Sequence, residues 1–147
     1  MGHSYCTNFL HCVFSTKGRR DSIPNEAQEN LWAYIRGIAD KEQVPLLAIG
    51  GTNNHVHLLV ALPATTTLCQ TISKIKSNSS RWLGENGIQF AWQEGYGAFS
   101  VGASQLSAVK DYIAHQVEHH RKRNFEEEFV ALLKLYSVEF DLADVYG

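Results

Sequence analysis

The sequence predicts an α+β fold in which two strand-helix-strand units share one antiparallel sheet, and three observations support this prediction. Strand and helix patterns alternate in the order β-α-β-β-α-β through residue 101. Only a turn rich in Gly and Asn separates the two middle strands, which favours a hairpin. Further helical patterns follow. This order is the split β-α-β, or ferredoxin-like, pattern, with helices on one face of the sheet and additional C-terminal helices.

Four segments have the alternating or β-branched composition of strands. They are Tyr5–Ser15, Val44–Ile49, Asn53–Val60 and Ala98–Val101. Four other segments have the apolar spacing or the capping residues of helices. They run from Pro24 to Lys41, from the caps Thr65–Thr67 to Gly84, from Gly102 to about Lys122, and from Phe125 to Leu135. The last two predicted helices follow the split β-α-β unit.

Composition limits the class of protein. A chain of 147 residues with 44% hydrophobic residues predicts one globular domain that spans residues 1–147. No apolar run approaches the roughly 20 residues of a membrane span, and the N-terminus lacks a signal-peptide pattern, so we expect a cytoplasmic protein. The three cysteines form no C-x-x-C pair, which argues against a zinc-thiolate site. A net charge of −2 argues against coating nucleic acid by bulk charge.

The segment Asn53–Val60 places two histidines on one face of a strand. Because side chains alternate along a strand, His55 and His57 point one way while Val56 and Leu58 point the other. Two imidazoles on one face can bind one cation, although such pairs are more often simply half-buried and hydrogen-bonded. Two nitrogen ligands are too few for a metal site. We therefore expect a third ligand from elsewhere in the chain.

The predicted helix from Gly102 to about Lys122 carries a polar stripe. Residues three and four apart share one face of a helix, so Tyr112, His115, Gln116 and His119 are expected to lie together. The stripe presents a phenol hydroxyl beside an amide oxygen. A stripe of this kind can also be a solvent-exposed face.

Basic clusters and an aromatic loop are the candidate nucleic-acid contacts. Cations mixed with short polar groups suit phosphates, and rings in a glycine-bounded loop can stack on unpaired bases. The cations are Lys17, Arg19, Arg20, Lys74, Lys76 and Arg81, and the rings are Phe90, Trp92 and Tyr96. The same cations can form a solvated surface, and the same rings can close an edge of the core.

Four phrases of the sequence together resemble a known family. They are His11–Lys17, Asn54–Val60, Phe90–Ser100 and Tyr112–His120. In this order and spacing they resemble the single-tyrosine HUH transposases of small bacterial insertion sequences and their domesticated relatives beside repeated palindromes. The likeness covers nearly the whole chain. It departs from the family at Asn53 and Asn54, where an acidic residue often precedes the histidines, and at His115, which is commonly Asn.

The resemblance implies a mechanism and a set of site residues. His55, His57 and Gln116 would hold Mg²⁺ or Mn²⁺, and Tyr112 would attack a phosphodiester of single-stranded DNA to form a 5′-phosphotyrosine. The DNA partner would be a hairpin. The resemblance also implies a homodimer in which the tyrosine-bearing helix of one subunit completes the site of the other.

Three alternative interpretations remain at this stage. A histidine-triad hydrolase would need a third alternating histidine, but this chain has Leu59 at that position. A domesticated relative would act on repeated palindromes. A ferredoxin-like nucleic-acid-binding module without chemistry would have the same fold, and Tyr112 and the histidines would then be incidental.

Overall fold

The computed structural model describes residues 2–146, which form four strands, six α-helices and three short 3-10 helices. The strands are β1 (Phe9–Ser15), β2 (Leu46–Gly51), β3 (His55–Ala61) and β4 (Gly97–Val101). The helices are α1 (Gln28–Lys41), α2 (Leu68–Glu85), α3 (Leu106–Ala114), α4 (Gln116–His119), α5 (Phe125–Leu135) and α6 (Leu142–Tyr146). Through β4 the order is β-α-β-β-α-β, as the sequence predicts.

The four strands form one antiparallel sheet in the order β2-β3-β1-β4. The two middle strands of the chain, β2 and β3, pair as the expected hairpin. The ferredoxin-like pattern is therefore confirmed. In this order β3 lies between β2 and β1, so the strand that carries the two histidines is held by hydrogen bonds along both edges.

Alternation gives the sheet two buried faces. One face presents Cys12, Phe14, Val56 and Leu58 to a large apolar core that includes residues of α1 and α2. The opposite face carries the histidines. Leu59 on that face packs against Ile113 of α3, and Val13 packs with Phe125, Leu132 and Leu133 of α5. The C-terminal helices therefore cover the histidine face.

Helix α3 lies directly on the backbone of β2. A Cβ atom at Gly50 would overlap the carbonyl oxygen of Ile113. Gly50 also pairs with His57 in the sheet. The missing side chain at Gly50 thus sets how closely α3, and with it Tyr112, approaches the histidine strand.

Some predicted bounds were wrong. The first strand begins at Phe9 rather than Tyr5, because Phe9 already pairs with Ala61, the last residue of β3. The second begins after Pro45, which lacks the N–H that a ladder needs. Helix α6 had no clear signal in the sequence.

The predicted helix to Lys122 is broken at His115, whose backbone angles (φ −112°, ψ 31°) are not helical. Instead of continuing the regular helix, the carbonyl of Tyr112 accepts hydrogen bonds from the backbone N–H of His115 at 3.3 Å and from the side-chain amide of Gln116 at 3.4 Å. The break separates α3 from α4. It also turns Gln116 toward the sheet.

Candidate metal and nucleophile site

The His pair lies at the centre of the covered face of the sheet. His55 and His57 are each 0% exposed, and their ring centroids are 5.0 Å apart. In the sheet they pair with Ser15 and Val13 of β1. The strand alternation predicted from the sequence is therefore what brings the two rings together.

Hydrogen bonds to their Nδ1 atoms hold the rings of His55 and His57 in position. The Nδ1 atom of His55 lies 2.8 Å from Oδ1 of Asn54 and 3.0 Å from Oγ1 of Thr52. The Nδ1 atom of His57 lies 2.7 Å from Nε2 of His11. Both Nε2 atoms are therefore directed away from these supports. Such supports orient histidine ligands in metal sites.

The amide of Gln116 joins the His pair, as the predicted ligand set requires. Gln116 is buried, and its Oε1 atom lies 3.0 Å from Nε2 of His55. His115 does not share this face. It is exposed, and its Nδ1 atom lies 2.7 Å from the carbonyl oxygen of Asp111. The break in the helix therefore corrects the predicted stripe, and His115 does not compete with Gln116.

Tyr112 lies beside the same cluster within one chain. Its ring is 5.8 Å from that of His57 and is stacked on His119 at 4.6 Å. Its hydroxyl donates a hydrogen bond to Oε2 of Glu128. Burial and then this hydrogen bond raise the pKa of Tyr112 to about 12. The phenol is thus neutral near pH 7 and points into the cluster.

Sequence reasoning missed Glu128, which the structure places at the centre of the cluster. Its Oε1 atom lies 2.9 Å from Nε2 of His57, 3.1 Å from Nε2 of His120 and 3.5 Å from Nε2 of His55. One signal was present in the sequence. Glu128 stands three residues after Phe125 and four before Leu132, so it falls on the apolar face of α5. Only its membership in a run of three glutamates suggested an exposed charge.

The donor set fits a divalent cation. Burial, with the nearby His57, lowers the pKa of His55 to about 3, so this ring is neutral and able to ligate. Burial would raise the pKa of Glu128, but hydrogen bonds from His120 and His57 hold it below its usual range. Ligand atoms of His55, His57, His120 and Glu128 all lie within 4.8 Å of one another. Neutral imidazoles beside an ionised carboxylate are suitable ligands for Mg²⁺, Mn²⁺ or Zn²⁺.

One of the two neutral tautomers of His55 would leave three acceptors facing one another. In the tautomer whose Nδ1–H donates to Asn54, the Nε2 lone pair of His55 faces the oxygens of Gln116 and Glu128. Three acceptors without a shared proton repel one another. A cation between them would turn that repulsion into attraction.

The predicted cations divide into two groups. Lys17, Arg20, Lys74 and Arg81 are exposed. Lys76 instead donates to the carbonyl oxygens of Gln93 and Gly95 at 2.8 and 2.6 Å and holds the aromatic loop in place. Arg19 pairs with Glu126 at 3.2 Å and donates to the carbonyl of Val145. Lys76 and Arg19 thus have structural partners within the chain.

The three predicted rings have different environments. Trp92 is buried edge-on against Phe14, and its Nε1–H donates to Oγ of Ser79 at 3.0 Å. Trp92 therefore closes the core and is not placed to stack on a base, contrary to the prediction. Phe90 is half-buried against Trp92. Tyr96 is 40% exposed and is the most accessible ring of the three.

Comparison with known proteins gives the family. Residues 5–116 match the protein family described as "Transposase IS200 like". The chain belongs to this family. The transposase for insertion sequence element IS200 of Salmonella typhimurium is 26% identical over 129 residues, which are 82% of this chain and 84% of the relative. A Salmonella typhi relative with the same description matches equally well. The resemblance read from the four phrases is confirmed.

Two solved structures share the fold of this IS200-like transposase. A Deinococcus radiodurans R1 protein described as a transposase superposes with a TM-score of 0.62 at 21% identity, over 79% of this chain and 96% of the other. A REP-associated tyrosine transposase bound to a REP hairpin superposes with a TM-score of 0.63 at 15% identity, over 82% and 73% of the two chains.

Membership in the IS200-like family implies DNA strand-transferase or endonuclease activity. The matched region contains His55, His57, Tyr112 and Gln116 and ends at Gln116. Glu128 and His120 lie beyond it. Within residues 2–146, no helix is long and apolar enough to cross a membrane.

Proposed function

We propose that this chain is a metal-dependent transposase that nicks and rejoins single-stranded DNA at hairpin-bearing ends, with Tyr112 as the nucleophile. One observation carries the proposal: a single chain brings the Tyr112 hydroxyl, the two strand histidines and the Gln116 amide into one cluster. A binding module without chemistry has no need of a tyrosine hydroxyl directed at buried metal ligands.

His55, His57 and Gln116 would hold Mg²⁺ or Mn²⁺. When bound, the metal would orient the scissile phosphate and neutralise charge that develops on it. The buried histidines, supported from behind by His11 and Asn54, keep their Nε2 atoms in place for this ion. No nucleotide cofactor is needed.

The reaction conserves the phosphodiester bond. The Tyr112 oxygen forms a bond to phosphorus, and the bond from phosphorus to the 3′ oxygen of the DNA breaks. The products are a 5′-phosphotyrosine and a 3′-hydroxyl, which receives the proton that the phenol loses. Attack by a DNA 3′-hydroxyl on the phosphotyrosine reverses the step and rejoins a strand.

The surface supports a substrate with unpaired bases. The hairpin in the complex of the similar REP-associated tyrosine transposase makes a DNA hairpin the first substrate to test. Exposed Lys74 and Arg81 on α2 would contact a few phosphates, and Tyr96 would stack on a base. Lys17 and Arg20 extend the basic surface beside the loop. A repeated palindrome, as that complex suggests, is the second candidate for the hairpin.

One chain brings Tyr112 beside His55, His57 and Gln116, whereas the resemblance implied exchange of the tyrosine helix between subunits. The packing of α3 on β2 and the bond from Tyr112 to Glu128 support assembly in cis. We therefore propose that each chain carries its own site, whether or not two chains form the homodimer that the resemblance implies.

Removing a metal ligand tests the proposed function. His57→Ala should abolish Mg²⁺- or Mn²⁺-dependent cleavage of a hairpin, while hairpin binding measured by fluorescence anisotropy stays close to wild type. His115→Ala, an exposed histidine on the neighbouring helix break, is the matched control and should cleave normally. Cleavage by His57→Ala at the wild-type rate would refute the metal assignment.

Mixing two inactive variants tests assembly in cis. Tyr112→Phe and His57→Ala chains, refolded together, should give no cleavage because neither kind of chain has a complete site. Recovery of activity in the mixture would instead show that subunits exchange the tyrosine helix. Light scattering on the same samples measures whether the chains pair.

A further inference from the structure

Helix α5 begins in a way that fixes Glu128 firmly. Asn124 and Glu127 form a capping box at its start, in which each side chain bonds the backbone N–H of the other residue. Phe125 and Leu132 on the same helix face anchor it against the histidine side of the sheet. Glu128 therefore enters the cluster from a rigid element rather than from a loop.

Burial of this carboxylate calls for a functional explanation. Glu128 is fully buried, and removing a carboxylate from water costs several kcal/mol unless strong partners compensate. Its partners are His57, His120 and the hydroxyl of Tyr112, with His55 slightly farther away. These are two of the three predicted metal ligands and the predicted nucleophile, together with one additional histidine.

The predicted ligand set lacks charge. Two neutral imidazoles and an amide oxygen bring no negative charge to a divalent cation, and Mg²⁺ and Mn²⁺ favour carboxylate oxygens. The chain has Asn53 and Asn54 before the histidines, and Asn54 supports His55. Glu128 is a carboxylate that the structure places against both metal-ligand rings.

We propose that Glu128 is the anionic ligand of the metal centre in this transposase, binding through the oxygen that faces His55 and His57 while its other oxygen holds the Tyr112 hydroxyl. The Nε2 atom of His120 lies 3.1 Å from the same oxygen that faces His57 and helps to orient this carboxylate. The proposal rests on the proposed function. It assigns a metal ligand to a helix that lies beyond the region shared with the family.

Direct metal binding tests the proposal without reference to activity. The dissociation constant for Mn²⁺ is measured by the loss of the free-ion electron paramagnetic resonance signal, with wild type and three variants. Even residues that only support ligands cost about 10–100-fold in metal affinity when changed, so Glu128→Gln should weaken Mn²⁺ binding by at least about tenfold. Glu118→Gln removes one exposed carboxylate on α4 and should bind Mn²⁺ like wild type.

The remaining variant separates this proposal from the proposed function. His57→Ala should also lose Mn²⁺ binding. If His57→Ala loses Mn²⁺ while Glu128→Gln keeps wild-type affinity, Glu128 is not a ligand and the metal-dependent function stands. If wild type itself binds no Mn²⁺, the proposed metal-dependent function is refuted, and the role of Glu128 as a ligand is refuted with it.

Circular dichroism and thermal unfolding establish that each variant is folded. Should Glu128→Gln not fold, Glu128→Asp keeps the charge but shortens the reach by one methylene. A folded Glu128→Asp is then expected to bind Mn²⁺ more weakly than wild type. Wild-type affinity in that variant, with an unchanged increase of the melting temperature on adding Mn²⁺, would overturn the proposal.

Discussion

The two faces of β3 are equally buried, but one packs in an apolar core and the other makes specific polar contacts. Val56 and Leu58 face α1 and α2, whereas His55 and His57 face α3 and α5, and all four side chains are 0% exposed. On the apolar face any well-fitting hydrocarbon gains about 1.5–3 kcal/mol from burial. On the histidine face each ring nitrogen contacts a specific partner, from His11 and Asn54 to Glu128.

The difference shows where the chain tolerates change. The apolar face depends on volume and packing, so a swap of similar size should be mild. The histidine face depends on the position and charge of individual atoms, and an unpaired buried polar group there costs about 1–3 kcal/mol. Changes to the first face should therefore affect stability, and changes to the second should affect metal binding and catalysis.

The largest effect on stability is expected at Leu58. Leu58→Ala should lower the free energy of unfolding by about 2–5 kcal/mol, because a fully buried side chain leaves a cavity in the α1/α2 core. Leu58→Met, of similar volume, should cost less than about 1.5 kcal/mol. Urea unfolding measures both. Per folded molecule, cleavage should stay at the wild-type rate, and a loss of cleavage in the folded fraction would show that the two faces are not separable.

The next effect is expected at the contact between β2 and α3. Gly50→Ala would force the backbone of Ile113 away and shift Tyr112, and a misplacement of about 1 Å can cost about 100-fold in rate. Single-turnover cleavage measures this loss. Gly84→Ala on α2, where a Cβ meets no other atom, should leave the rate unchanged and stabilise the helix by up to about 1 kcal/mol. Equal rates in the two variants would mean that α3 does not need this close approach.

A smaller effect is expected at His11, which supports His57 from the neighbouring strand. His11→Ala removes the partner of Nδ1 of His57 and should weaken Mn²⁺ binding by about 10–100-fold. Isothermal titration calorimetry measures the affinity, and His115→Ala serves as an exposed control. Unchanged affinity in His11→Ala would show that the sheet alone orients His57.

The last effect is a dependence of stability on acid. Burial, followed by the effect of His57, lowers the pKa of both His11 and His55 to about 3. The unfolded chain therefore binds more protons than the folded one below pH 6.5, and stability should fall as pH falls from 6.5 toward 3. Urea midpoints between pH 7 and pH 4 should decline less steeply for His11→Gln than for wild type. Parallel declines would show that His11 does not contribute to the loss.

Local patterns in the sequence predicted the parts of the site that depend on local geometry. Alternation along the strand placed His55 and His57 on one face, and the family resemblance supplied Tyr112 and Gln116. The break at His115 was not predictable, because Tyr112 and Gln116 have helical spacing whether or not the helix between them is regular. At the break, the Tyr112 carbonyl accepts hydrogen bonds from His115 and Gln116.

The parts of the site that depend on tertiary contacts were missed. His11 reaches His57 only because β1 and β3 pair in this register. Glu128 reaches the cluster only because the chain turns back after α4 and packs α5 on the sheet, and His120, at the end of α4, contacts it there. Trp92 was a candidate base contact because an aromatic loop has the same composition whether its rings point outward or close the core, as Trp92 does.

Covalent attachment of Tyr112 to DNA tests the central claim most directly. The protein is incubated with Mg²⁺ or Mn²⁺ and a single-stranded hairpin from beside its own gene, and the products are separated on a denaturing gel. Wild type and Tyr34→Phe, changed on the opposite face where Tyr34 stacks on Trp82, should both give a slower band that needs the metal. Mass spectrometry should map the DNA to Tyr112, and Tyr112→Phe should give no band. A band that persists in Tyr112→Phe, or its absence in wild type with every flanking hairpin, would contradict the account.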